Sequence, residues 1–160
     1  MNEHEDPEHD TRAEERRLAD EARGHCVFCK IIAGEIAASF VARDAETVAF
    51  LDRSPLFKGH VLVAPRAHVA NFSVLAPELI SPVFAAAQRV ARAVETGIGA
   101  DGAFVALNNK ISQSVPHLHV HVIPRRRKDG LRGFFWPRQP YASDAERDDY
   151  AARIAAALAD

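Results

Sequence analysis

The chain has 160 residues, 48% of them hydrophobic and 26% charged, which suits one globular domain with a sizeable core. No apolar run reaches membrane-spanning length, and Met1-Asn2-Glu3-His4-Glu5-Asp6 has neither region of an export signal, so a cytoplasmic location and no membrane partner are expected. The net charge of −2 hides an acidic stretch: residues 1–24 hold nine acidic and four basic side chains, and the remainder carries a formal +3, enough for a small anionic ligand and too little for a nucleic-acid footprint.

Residues 1–10 are charged, have little to bury, and read as disordered. Thr11-Arg12-Ala13-Glu14 is a capping box that predicts a helix to about Arg23, ended by Gly24. Cys26 and Cys29 are the only cysteines, spaced Cys-x-x-Cys, which in a reducing compartment points to metal or redox use. Residues 26–33 read as a turn and short helix with Val27, Phe28, Ile31 and Ile32 on its apolar side, broken at Gly34. Strand-like runs follow at Ser39–Arg43, Thr47–Leu51 and His60–Pro65, the first two joined by Asp44-Ala45-Glu46 as a hairpin. Pro77 to about Gly97 is one long helix whose wide apolar stripe reads as core, and Gly102–Leu107 returns as a strand.

After the polar loop Asn108–Ser114 comes His117-Leu118-His119-Val120-His121-Val122-Ile123-Pro124. Side chains alternate along a strand, so this segment is expected to turn three imidazoles outward on one face and bury three aliphatic groups beneath them. Three groups titrating near neutrality suit a nucleophile, a proton donor or metal ligands. Beyond Pro124, Arg125 to Arg127, Arg132 and Arg138 accompany Phe134, Phe135 and Trp136, which suits a second base or distal phosphates, or alternatively an interface or covering loop. Ser143-Asp144-Ala145-Glu146 is a second capping box, opening a helix to about Leu158. The pattern predicts an α+β fold: a mostly antiparallel sheet of about five strands, one long helix and shorter helices, with the helices on one side.

The motifs Phe50-Leu51-Asp52-Arg53-Ser54-Pro55, Gly59-His60-Val61-Leu62-Val63 and Gln113-Ser114-Val115-Pro116-His117-Leu118-His119-Val120-His121 resemble, in order and spacing, the histidine triad (HIT) family, over about Cys26 to Pro124. The resemblance implies a HIT-like fold with a catalytic domain at 25–125, the extension 1–24 before it and 126–160 completing it. It implies a homodimer that releases an AMP-like nucleoside monophosphate from phosphoramidate or dinucleoside polyphosphate substrates. By motif, His119 becomes the nucleophile that forms a nucleotidyl-histidine, His121 the proton donor to the leaving group, and His60 their partner from the neighbouring strand. Asp52 becomes the ribose acceptor. Gln113, Ser114 and Asn108 (or Asn109) fall near the phosphate, and Val27, Phe28, Ile31 and Phe50 form a slot for the base, with ordinary core packing as the competing reading. In zinc-bearing relatives the positions of Cys26, Cys29, His68 and His117 hold one structural zinc. Two other functions fit the same residues: a zinc hydrolase with all three histidines on one metal, and a non-catalytic nucleotide sensor.

Overall fold

The computed structural model of the protein describes residues 21–131 and 139–158. The disorder expected of 1–10, the capping box at Thr11 and the segment from Arg132 to Arg138 lie outside them. Residues 21–25 are helical, so this turn runs through Gly24 instead of ending there. The break falls at Cys26, whose extended backbone and Sγ, accepting from the Cys29 N–H at 3.4 Å, cap helix α1 (Val27–Ala33). Gly34, at φ 83°, closes α1 by donating its N–H to the carbonyls of Ile31 and Lys30.

Strands β1 (Phe40–Arg43) and β2 (Thr47–Leu51) form the expected hairpin. Its turn is held by Asp44, whose Oδ1 accepts from the N–H groups of Thr47 at 2.7 Å and Glu46 at 3.1 Å. Strand β3 (Val61–Pro65) follows, then helix α2 (Pro77–Ile98), β4 (Gly102–Ala106) and β5 (Val120–Arg125). The five strands lie in the order β1-β2-β3-β5-β4, every pair antiparallel, with β5 inserted between β3 and β4.

Alternation assigns the faces. Ala49 of β2, Val61 and Val63 of β3, and Val120 and Val122 of β5 pack with Val83, Ala86, Ala87, Val90 and Val94 of α2. On the opposite face Val48, Phe50, Leu62 and Ala64 meet Phe28 and Ile31 of α1, with Cys26. Helices therefore cover both faces, where the sequence suggested one. The compositions of β2 and β3, Thr-Val-Ala-Phe-Leu and Val-Leu-Val-Ala-Pro, explain this: neither strand alternates with charged residues, as a strand with one wet face would.

A second correction concerns the histidine segment. The strand begins at Val120, so His121 lies on it while His117 and His119 precede it. The β3–β5 ladder ends at the Val63–Val120 pair. Beyond that point Pro65 has no N–H to offer, its carbonyl receives the His117 ring at 2.9 Å, and the Leu118 N–H goes to the Val69 carbonyl at 2.6 Å. Nor do the imidazoles face outward into water: His117 is 0% exposed and His119 is 5% exposed.

The chain divides into two compact units, Met1–Asp129 and Gly130–Asp160. Arg125 grips Asp129 at 2.6 Å and the Arg126 guanidinium donates to the Ile98 and Gly99 carbonyls, so 126–129 pack with the first unit. In the second unit, helix α3 (Asp144–Ala157) starts as its capping box predicts, with Ser143 Oγ accepting from the Glu146 N–H at 3.1 Å; it carries no buried residue. Among the described residues no helix is long and apolar enough to cross a membrane.

Candidate active site

A cavity of about 550 Å³ opens on the α1 face of the sheet. Val27, Phe28 and Ile31 of α1 and Phe50 of β2 form one wall, and Asp52, Ser114, His119 and His121 line the rest. Seven of those eight were singled out from the sequence as base, ribose or catalytic positions, and Ser114 as a phosphate donor, so the fold brings all eight to one cleft. Phe28 meets Phe50 edge-on at 5.2 Å between centroids and His119 at 5.1 Å, which fixes one aromatic wall beside the imidazole.

Hydrogen bonds set the tautomers. His119 Nδ1 lies 2.7 Å from the His117 carbonyl, which can only accept, so Nδ1 carries the proton and Nε2 keeps its lone pair. His121 Nδ1 lies 2.9 Å from His60 Nε2, and His60 Nδ1 is 3.4 Å from Asp52 Oδ2. His60 does not itself line the cavity; it stands behind His121. Burial lowers the His60 pKa, with the nearby Asp52 carboxylate opposing. Burial, followed by the neighbouring His119 and His60, lowers His121 to about 4.

Two of the expected phosphate donors sit elsewhere. Asn108 donates from Nδ2 to the Ser112 carbonyl at 3.1 Å. Gln113 donates to the Ala70 and Val115 carbonyls at 2.6 and 3.1 Å. Both brace the loop that holds Lys110 and Ser112 at positive φ, and neither lines the cavity. Asn109 donates to Ser73 Oγ and accepts from the Phe72 N–H. In turn the cavity includes Arg53 and Ser39, which the sequence reading passed over. Arg53 was legible as the neighbour of Asp52, whereas Ser39 reads only as the first residue of a strand-like run.

Cys26, Cys29, His68 and His117 form a second cluster behind the first. His117 Nδ1 is 3.4 Å from Cys26 Sγ and 3.6 Å from Cys29 Sγ, and His68 Nδ1 is 3.3 Å from Cys29 Sγ. Tetrahedral zinc with Zn–S near 2.3 Å and Zn–N near 2.0–2.1 Å requires ligand atoms roughly 3.3–3.8 Å apart, so the set fits one such ion with no position left open. The His117 Nε2 bond to the Pro65 carbonyl holds that proton away and aims the Nδ1 lone pair at the thiols. Burial followed by the hydrogen bond with Cys26 raises the Cys29 thiol to about 11, and burial lowers His117 to about 4. This arrangement removes the three-histidine metal centre considered from the sequence. Among the described residues the only ligand clusters are this one and Asp52–His60–His121, and neither contains all three strand histidines.

A model of the HIT domain matches residues 33–128. The chain is 36% identical over 121 residues to the adenosine 5'-monophosphoramidase hnt1 of Schizosaccharomyces pombe, covering 74% of this chain and 88% of that one. The crystal structure of a member of the HIT family of proteins from Bacillus subtilis is similar at a TM-score of 0.74 and 36% identity, covering 82% of this chain and 95% of the other. A Zn-bound histidine triad family protein from Mycobacterium smegmatis is similar at a TM-score of 0.66 and 34% identity, covering 86% and 99%. With the fold, the cleft and the ordered histidines in agreement with these likenesses, the chain belongs to the HIT family.

Proposed function

We propose that the protein hydrolyses an AMP-like phosphoramidate or dinucleoside polyphosphate through a covalent nucleotidyl-histidine at His119. The observation that carries this reading is the 2.7 Å bond from His119 Nδ1–H to the His117 carbonyl, which leaves Nε2 as a bare nucleophile beside a nucleotide-sized cleft. Nε2 attacks the α-phosphorus, the bond from phosphorus to the leaving group breaks, and His121 supplies the proton that group needs. The phosphorylated ring is cationic, with its Nδ1–H still held by the carbonyl. Water then adds to phosphorus, gives a proton back to His121, and the P–Nε2 bond breaks to release the monophosphate and neutral His119.

The base rests between Val27, Phe28, Ile31 and Phe50, the ribose hydroxyls donate to Asp52, and Ser114 donates to a phosphoryl oxygen. A bound phosphate next to His121 opposes the burial that lowers its pKa and so favours its protonated, donating form. The name of the S. pombe relative supports a phosphoramidate as substrate class, with an amine as leaving group. Cys26, Cys29, His68 and His117 would hold one structural zinc, which would tie α1 to the histidine segment and take no part in the chemistry; that the M. smegmatis relative is Zn-bound supports this reading. The cell compartment is read as the cytoplasm. Ile80 and Phe84 on α2 and Val105 on β4 are exposed apolar side chains that suit a second copy of the chain, making a homodimer.

Rapid quench of the protein with labelled adenosine 5'-phosphoramidate, followed by intact-mass analysis, tests the reading. One AMP adduct is expected on wild type and none on His119→Asn. Turnover without any adduct, or nucleotide binding without turnover, would overturn it in favour of direct hydrolysis or of a sensor.

A further inference from the structure

His60 stands between two groups that make opposite demands on one nitrogen. Its Nδ1 is 3.3 Å from the Leu56 N–H, which needs a lone pair there, and 3.4 Å from Asp52 Oδ2, which needs a proton. The choice passes to the far side of the ring, where Nε2 faces His121 Nδ1 at 2.9 Å. If Leu56 holds the ring, His60 Nε2–H donates and His121 Nδ1 must stay bare. If Asp52 holds it, His60 Nε2 is bare and receives His121 Nδ1–H. Only the second arrangement accommodates a doubly protonated His121, the form that can give up its other proton to a leaving group and remain neutral.

The backbone pins the participants in place. The Asp52 N–H donates to the His60 carbonyl at 2.9 Å, which sets the two residues opposite each other just past the β2–β3 ladder. The His60 N–H is taken by the Phe57 carbonyl at 3.0 Å, and Asp52 Oδ1 accepts the Ser54 N–H at 2.8 Å, leaving Oδ2 toward His60. His60 is 5% exposed, so water cannot replace either partner freely. The ionisable groups facing His121 are His119 on its own segment and His60 and Asp52 from the adjacent strand ends; the β4 residue paired with it is Ala106.

We propose that Asp52 is a positioning residue for proton transfer: through His60 it fixes the ring of His121 in the orientation and protonation a proton donor requires. This rests on the proposed function, in which the same carboxylate also receives the ribose hydroxyls. Sugar recognition and leaving-group protonation then share one side chain. A ribose that donates to Asp52 draws carboxylate charge away from His60 and makes His121 a stronger acid at the moment substrate is seated.

Two measurements test it. The first needs no activity: nitrogen chemical shifts of the histidine rings, read by long-range proton–nitrogen correlation in the nucleotide-free protein above pH 7. His60 is expected to carry its proton on Nδ1 in wild type and on Nε2 in Asp52→Ala. A wild-type His60 already protonated on Nε2, or one unchanged by the substitution, overturns the proposal whether or not the protein is a hydrolase. The second is the pH profile of kcat/KM for ribo- and 2'-deoxyribo-phosphoramidates in wild type and Asp52→Asn, a variant that keeps an oxygen facing His60 and removes the charge. The alkaline limb is expected to move down by roughly one pH unit with both sugars, about tenfold in rate above it. A uniform loss across pH, confined to the ribo substrate, would make Asp52 a sugar contact alone and overturn the proposal. Absence of any adduct on wild-type His119 would instead sink the hydrolase reading and leave the ring-shift result standing.

Discussion

At Gly59 the backbone sits at φ +91°, and an added Cβ would lie 2.6 Å from Ile98 Cδ1 and 3.2 Å from Pro124 Cγ. The isoleucine tip can swing aside; the left-handed backbone cannot be relieved without moving His60, the next residue. Gly59→Ala is therefore expected to cost about 1–2 kcal/mol in urea unfolding and to lower activity beyond that loss of folded protein. At His121 the expected effect is on pH. Its folded pKa is lowered from 6.5 to about 4, so between those values the unfolded chain binds the extra proton and stability falls as pH falls. Stability is fully present above about 6.5. His121→Gln should flatten the decline from pH 6.5 to 4 by on the order of 2 kcal/mol, read from urea midpoints across that range. The ring identities were legible in the sequence because alternate spacing on an extended chain is a local rule. That His60 bridges Asp52 and His121 was not, because the pairing depends on which strands become neighbours, and β5 is separated from β3 by a long helix and β4.

Helix α1 is seven residues long, too short to persist without tertiary support, and its anchors are Phe28 and Ile31 in the core and the Cys-x-x-Cys pair at its start. Cys26→Ser with Cys29→Ser is expected to abolish zinc binding by elemental analysis and to lower Tm. If wild-type protein purified under reducing conditions without chelator carries no zinc, or unfolds at the same temperature as the variant, the metal assignment fails. The existence of nearly every described element could be read from apolar runs bounded by glycine, proline and capping boxes. Less legible was what lay on each side of a strand. Val48 and Phe50 read as strand residues, yet nothing local says that a two-turn helix preceding the hairpin folds back over them. The start of β5 was obscured for a related reason: Pro65 ends the ladder from the partner strand, some fifty residues away in the chain.

At the scale of the molecule, the sheet and its two layers of helix end with Asp129, which Arg125 grips through two hydrogen bonds and the Arg126 N–H also reaches. A chain ending at Leu131 is expected to unfold in one cooperative transition and to retain the AMP adduct on His119; a molten, non-cooperative product would show that the second unit is needed for folding. His117 joins the two layers of the site by serving both with different atoms. Its ring belongs to the cysteine cluster and its carbonyl receives the Nδ1–H of His119. A thiol-reactive agent that pries this residue loose would free the neighbouring imidazole to spin half a turn and present a hydrogen where a lone pair is required. On the proposed mechanism the protein would then fall silent with its substrate pocket chemically untouched.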